Sequence, residues 1–377
     1  MAHPPIATGM YLPPQPPLAQ LQQFVALVRL LRLDGIMVWD HFQDFTPQAL
    51  WDKDFSWFAA RRPSPHAFYE YQVLLGHLAG RAGRLRLGVG VTEAIRRHPV
   101  LIAQAMLTLA HLTRRAPILG IGAGERENTE PYGFDFSQPV ARLEEALQVI
   151  RLCFTSQGPF DFAGQHFRLQ GALMDLQPPE NRMPEVWLAA HGPRMLRLTG
   201  QHGDGWYPTS RLTTAEYAEK LAAIHRAARD AGRDPTAITP SYQLAVVVAP
   251  TEAAARAQLQ TRALRCNTLL MTTADDWRRR GLQHPFGDEY RAYIDIMPEA
   301  LKRRHLDEAL AAVPADLVEE QVVWGTPERV LGQLRAYGEA GMRHVVLVTL
   351  SALVSQRAMF DTLRGVRWIA ARLKSGR

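Results

Sequence analysis

The sequence predicts an α/β fold: a single (β/α)8 (TIM) barrel carrying insertion segments. Three observations predict it. Short apolar runs alternate with helical patterns about eight times along the 377 residues, as repeated β/α units do. The apolar runs are continuous rather than alternating, so each strand is buried on both faces, which calls for a parallel sheet covered by helices. A typical barrel takes roughly 250 residues, and the surplus falls near 42–68, 156–183 and 250–320.

The elements follow in order. Residues 6–12 read as the first strand, and 18–33 as a helix with Leu18, Leu21, Val25, Val28 and Leu31 on one face. Residues 35–39 form a buried strand ending at Asp40-His41. Residues 84–91 form the third strand, with a helix after Pro99, and 117–122 the fourth, ending in glycines. A helix over 140–154 follows Ser137-Gln138-Pro139, with Ser137 as its expected cap. Short strands at 185–190 and 205–208 flank a helix at 194–199. A helix over 214–231 is closed by Gly232, 241–249 is a strand, 327–338 a helix, and 343–350 the last strand before a terminal helix. Within the insertions, 42–68 carries Phe45, Trp51, Phe55, Trp57 and Phe58, and 160–170 looks like a hairpin with Gly164 near its turn.

Composition narrows the function classes. At 47% apolar and 21% charged, the chain is an ordinary globular protein rather than a disordered or fibrous one. The charge is +6, and 39 of the 43 basic residues are Arg. Arg suits planar recognition of carboxylate and phosphate, although genome composition produces the same bias. The Arg residues are scattered and no nucleic-acid module is visible, so no nucleic-acid partner is expected. Cys153 and Cys266 make neither a disulfide framework nor a zinc site. No metal is expected. The N-terminus lacks a signal-peptide pattern, and no run reaches the roughly 20 apolar residues of a membrane span. A cytoplasmic enzyme acting on a small molecule is the expectation.

In such barrels, chemistry collects on the loops after the strands. His41, just beyond the second strand and beside Asp40, is the acid/base candidate by residue type; a capping histidine is the alternative. Glu125 follows Gly120, Gly122 and Gly124, and a glutamate facing an apolar ligand there could act as a general acid; a solvated glutamate on a glycine-rich turn is the alternative. Those glycines have neither Walker nor dinucleotide spacing. The turn Ala189-Ala190-His191-Gly192-Pro193 leads into a helix whose N-terminus suits a phosphate, with Arg194 and Arg197 nearby.

These motifs, taken together, resemble the bacterial luciferase-like barrel family. The string 38–42 (Val-Trp-Asp-His-Phe), the strand 88–92, Gly122-Ala123-Gly124-Glu125 with Asn128, and 189–193 ahead of Gly203-Asp204-Gly205-Trp206 carry the resemblance. Within the family, the chain resembles the branch using the deazaflavin coenzyme F420, and there the phthiodiolone ketoreductase type, over residues 6–370 or so. The resemblance implies His41 and Glu125 as the acid/base residues, with Asp40 and Asn128 contacting the deazaflavin. It implies a non-prolyl cis bond at Gly90–Val91, ahead of Thr92, behind the ring. It also implies a cofactor site using Gly124 and a phosphate site at Ala189, Ala190, His191 and Gly192. A homodimer is a further family expectation.

One departure matters. Thr209-Ser210 is followed by Arg211 rather than the lysine of the sugar-phosphate branch, which argues against a sugar phosphate. The aromatic segment 42–68 fits an apolar substrate instead, a packed cover being the alternative. The expected activity is hydride transfer between reduced F420 and a carbonyl carbon. The alternatives are an FMN-dependent monooxygenase and, less in keeping with the two ionisable rim residues, a non-catalytic flavin carrier.

Overall fold

The computed structural model describes residues 3–376. Its strands in chain order are β1 (Ala7–Leu12), β2 (Gly35–Val38), β3 (Arg86–Thr92), β4 (Ile118–Ile121), β5 (Phe160–Ala163), β6 (Arg168–Ala172), β7 (Glu185–Leu188), β8 (Gly205–Trp206), β9 (Thr239–Val248), β10 (Val323–Gly325) and β11 (His344–Thr349). Eight of them close a parallel barrel in the order β1-β2-β3-β4-β7-β8-β9-β11, with β11 pairing back to β1. β10 adds a ninth strand that pairs only with the far end of β9.

Continuous apolar strands make this closure possible. One face of the strands packs under the helices through Met10, Leu12, Ile36, Val38, Leu87, Val89, Leu119, Ile121, Val186 and Leu188. The other face fills the barrel interior with Tyr11, Met37, Ile118, Trp187, Tyr207 and Val346. Small residues make room for these rings: a Cβ on Gly205 would lie 2.4 Å from Trp187, and one on Gly88 would lie 2.7 Å from Ile118 and Met37. The interior is thus a packed core, and the loops at its end are free for chemistry.

Element boundaries differ from the sequence reading by a few residues, and one cap differs. The helix Pro139–Thr155 is entered through Gln138 in a left-handed conformation with no side-chain cap. Ser137 instead bonds Asp135 through both its N–H and its hydroxyl, because the nearby carboxylate is the stronger acceptor. Two elements go beyond the sequence reading: the helix Tyr71–Ala82, capped by Glu70, and β10.

The insertions have distinct jobs. β5 and β6 form the antiparallel hairpin, pinned by Glu145, whose carboxylate accepts from the N–H groups of Gln165, His166 and Phe167. Residues 252–321 fold into five short α-helices and two single 3-10 turns. They share a second apolar cluster with Leu50 and Phe55 of the 42–68 segment, built on Leu264, Trp277, Leu306 and Leu317. Asp52 pairs with Arg303 at 2.7 Å, and Glu299 meets His66 at 3.0 Å, tying this cover across the barrel. Most of the aromatic segment is therefore cover: Phe55 and Trp51 pack into the second apolar cluster, and the indoles of Trp51 and Trp57 donate to the carbonyls of Arg62 and Ala352. Phe45 alone of the named rings turns to His41.

Candidate active site

The loops after β2 and β4 meet at the barrel mouth. His41 Nε2 lies 3.3 Å from Glu125 Oε2, with the His side chain 8% and the Glu side chain 23% exposed. Glu125 is thus the member open to a ligand. The Gln43 carbonyl lies 3.2 Å from His41 Nδ1, which assigns one ring proton to Nδ1. Nε2 and Glu125 can then approach only with a proton between them. The 3.3 Å contact is long for a charge-assisted hydrogen bond, so that proton can be shared with an oxygen entering beside Glu125. Around the imidazole stand Trp39, Phe45 and Phe68, with ring centroids 5.7, 5.0 and 6.3 Å away. These make an apolar wall.

Asp40 holds the base of the site. Its Oδ2 accepts from Thr92 Oγ1 at 2.6 Å and from Arg97 at 2.6 Å, and meets Arg96 at 3.0 Å. Arg96 also donates to the Asp40 carbonyl at 2.7 Å, pairs with Glu93 and lies 4.8 Å over the Phe42 ring. Asn128 ties the two loops together: its Oδ1 accepts from the Phe42 N–H at 2.7 Å, and its amide donates to Glu127 at 2.8 Å. Asp40 and Asn128, implied as cofactor contacts, are 5% and 2% exposed and engaged within the protein. Both lie beneath the site with their polar groups bonded to protein partners.

The Gly90–Val91 peptide bond is cis, and the β3–β4 register shifts between Val89 and Thr92. This bulge sets Val89 O against Gly120, where a Cβ would lie only 2.3 Å away. Gly124 adopts φ +96°, and a Cβ there would meet Ile95 and Glu93, so glycine is needed for the turn that aims Glu125.

The second group of expected residues lies after β7. Ala190 is fully buried, and its carbonyl accepts from Trp206 Nε1 at 2.9 Å. Ala189 continues β7, its N–H donating to Ile121 O at 3.0 Å. Gly192 opens the helix Pro193–His202 with no side-chain cap, and the space where its Cβ would stand is open. His191 Nε2 lies 3.1 Å from Thr209 Oγ1, while its Nδ1 is buried with no hydrogen-bond partner among the described residues. Burial, aided by the Lys220 charge, pushes His191 down to about 4. It is therefore a neutral ring beside a helix N-terminus, and its Nδ1 carries the N–H when Nε2 accepts from the Thr209 hydroxyl.

Sequence reasoning missed four residues. Arg96 and Arg97 follow β3, where the rim rule could have found them. Glu127 sits inside the glycine-loop motif and is fully buried. Tyr293 comes from the 252–321 cover. Its ring lies 5.9 Å from that of His191, its hydroxyl stands beside Ser210 and Thr209, and burial pushes it up to about 12.

The chain and its fold have known relatives. A family profile described as luciferase-like monooxygenase matches residues 5–344. The chain is 39% identical over 336 residues to a phthiodiolone/phenolphthiodiolone dimycocerosates ketoreductase of Mycobacterium bovis, covering 88% of each. It is 27% identical to an F420-dependent glucose-6-phosphate dehydrogenase of Nocardia farcinica, covering 83% of each. Among solved structures, an F420-dependent secondary alcohol dehydrogenase with an F420–acetone adduct shares the fold at a TM-score of 0.75 and 19% identity, covering 99% of both chains. The FMN-bound oxygenating constituent of 3,6-diketocamphane monooxygenase shares it at 0.67. The chain is an oxidoreductase enzyme and belongs to the luciferase-like monooxygenase family.

Proposed function

We propose that this enzyme uses coenzyme F420 and passes a hydride between the reduced cofactor and the carbonyl carbon of an apolar ketone, or the reverse from the alcohol. The observation that carries the reading is the His41–Glu125 contact of 3.3 Å at the barrel mouth. It is a proton-holding pair with an apolar wall on one side and an exposed carboxylate edge on the other. The ketoreductase and dehydrogenase relatives support the same chemistry.

The residues present fit a cofactor bearing a phosphate. The uncapped start of the helix Pro193–His202 offers N–H donors to an anion, and the orphaned Nδ1 of His191 adds one in the tautomer whose Nε2 accepts from Thr209. The Ala189–Gly192 turn would hold that end, and Gly90, Val91, Thr92 and Gly124 the ring end. F420 supplies the hydride, chemistry that belongs to the cofactor. The chain's own residues bind, exclude water and handle the proton. His41, with Glu125 as its partner, gives a proton to the oxygen that becomes the alcohol, an effect worth about 10²–10⁴-fold. Asp40, Arg96 and Asn128 hold the pair in place. The aromatic wall of Trp39, Phe45 and Phe68 favours an apolar substrate.

Titrating the apoprotein with F420 and with FMN tests the cofactor, since the two absorb differently. Tight binding of F420 alone, with oxidation of reduced F420 by apolar ketones, is expected. Tight binding of FMN with oxygen consumption would instead favour a monooxygenase. We further propose a homodimer, as in the resembled family, which light scattering reads directly.

A further inference from the structure

Glu127 has no part in the chemistry above, yet its place is unusual. Asp40 and Glu93 are buried carboxylates whose charges meet Arg96. Glu127 is buried more completely, and its Oε1 takes only a neutral donor, the Asn128 amide at 2.8 Å. Its Oε2 is buried with no hydrogen-bond donor among the described residues. His41, Glu125 and Glu127 each bring a side-chain nitrogen or oxygen within 4.8 Å of the others. An ionised Glu127 would leave a buried oxygen unsatisfied beside a second carboxylate, and two such groups do not both ionise. A carboxylic acid removes the conflict, because its O–H can donate to Glu125.

We infer that Glu127 is a positioning residue: as a neutral acid it donates a hydrogen bond to the Glu125 carboxylate, fixing it opposite His41 Nε2 and keeping the shared proton on the imidazole. This role rests on the assignment of His41 and Glu125 as the proton-handling pair. The surroundings agree. Burial, then the Glu125 charge, pushes Glu127 well above the usual carboxylate range, with Arg96 opposing. The other titratable groups facing it are His41 from the loop after β2, Tyr132 from the turn after Glu130, and Tyr290 from the cover. Among these neighbours Arg96 alone is a fixed cation, and it is already paired with Asp40 and Glu93. Of the two acids, Glu125 is the half-buried one open to the barrel mouth and Glu127 the fully buried one, so on this inference the charge stays on Glu125.

Infrared spectroscopy of the full chain at neutral pH, without cofactor, reads the C=O stretch of a protonated buried carboxyl. The band is expected in the wild type and lost in Glu127→Gln. Buried Asp44 is also pushed upward by burial, so the reading is the wild-type minus Glu127→Gln difference; no carboxyl band in that difference overturns the inference. The pH–rate profile gives a second test. In Glu127→Leu the lost donor makes Glu125 easier to protonate, so the acid limb should rise by about one unit, with kcat lowered and KM unchanged. Glu127→Gln keeps an amide donor and should restore the wild-type limb. An unmoved limb in folded Glu127→Leu overturns the role. Normal turnover of Glu125→Gln overturns the parent assignment and this role with it. Loss of turnover there, with no carboxyl band lost between wild type and Glu127→Gln, overturns the part of Glu127 alone.

Discussion

Replacing Asp40 with Asn tests whether the struts beneath the site behave as the geometry says. Asn keeps the shape but removes the charge that Arg97 meets at 2.6 Å and Arg96 at 3.0 Å. Exposed ion pairs are worth at most about 1 kcal/mol. This one is different, because the Asp40 side chain is 4% and that of Arg96 3% exposed. Breaking a buried pair by removing one partner costs about 3–5 kcal/mol. Arg96 keeps Glu93 and Arg97 keeps Glu70, so the lower end applies, about 3 kcal/mol. An unfolding entropy of about 2.1 cal/mol/K per residue, over 377 residues, converts this to a Tm loss of about 4 °C. The Asn amide must also face a guanidinium or the Thr92 hydroxyl, so the backbone ahead of His41 shifts. A displacement near 1 Å at a catalytic group costs about 10²-fold in rate. Thermal melts and turnover of Asp40→Asn read both quantities. A Tm within 1 °C of wild type with full turnover, against the shift of about 4 °C, would refute the reasoning.

Other perturbations follow from the same geometry. Gly120→Ala places a Cβ 2.3 Å from Val89 O; overpacking of this kind costs about 1–3 kcal/mol, and cofactor titration should show weakened binding because the β3 bulge must move. Asp52→Ala breaks the Arg303 and Arg262 pairs between cover and loop, but these side chains are 29–49% exposed, so chemical denaturation should register less than about 1 kcal/mol. The pH dependence of stability has a defined sign. Burial, aided by Lys220 for His191 and by Arg86 for His344, holds them at about 4 and about 3, whereas in the unfolded chain histidine titrates near 6.5. The unfolded state therefore binds more protons between those values. Stability is full above pH 6.5 or so and falls as pH drops through the window, by up to about 1.4 kcal/mol per pH unit for each ring. Melts at stepwise lower pH should show the loss, and His344→Gln should flatten it.

Much of the barrel is legible in the sequence because strands buried on both faces carry unbroken apolar runs, as residues 345–348 and 244–249 do. β10 is not, because three residues between two helices carry no periodicity. The helix Tyr71–Ala82 is interrupted by Gly76 and Gly80, which weakens its helical pattern. Ser137 has the residue type of a cap, but Asp135 two positions earlier engages both its N–H and its hydroxyl. His41 and Glu125 are readable because chemistry gathers at strand ends, and the fold brings them within 3.3 Å across more than 80 positions. Glu127 is not readable, since its burial is set by how the 41–43 and 125–128 loops interlock. Tyr293 reaches His191 from an insertion about a hundred residues away, and nothing local announces it. The aromatic segment misled in part: its composition fits a ligand wall, but Trp51, Phe55 and Trp57 serve the cover.

The most direct test of the central claim is a single-turnover reaction of reduced F420 with an apolar ketone, following F420 oxidation in wild type, His41→Ala and Glu125→Gln, with cofactor affinity measured alongside. The pair at 3.3 Å predicts a loss of about 10²–10⁴-fold in each variant with cofactor affinity largely kept. Wild-type rates in both variants would contradict it.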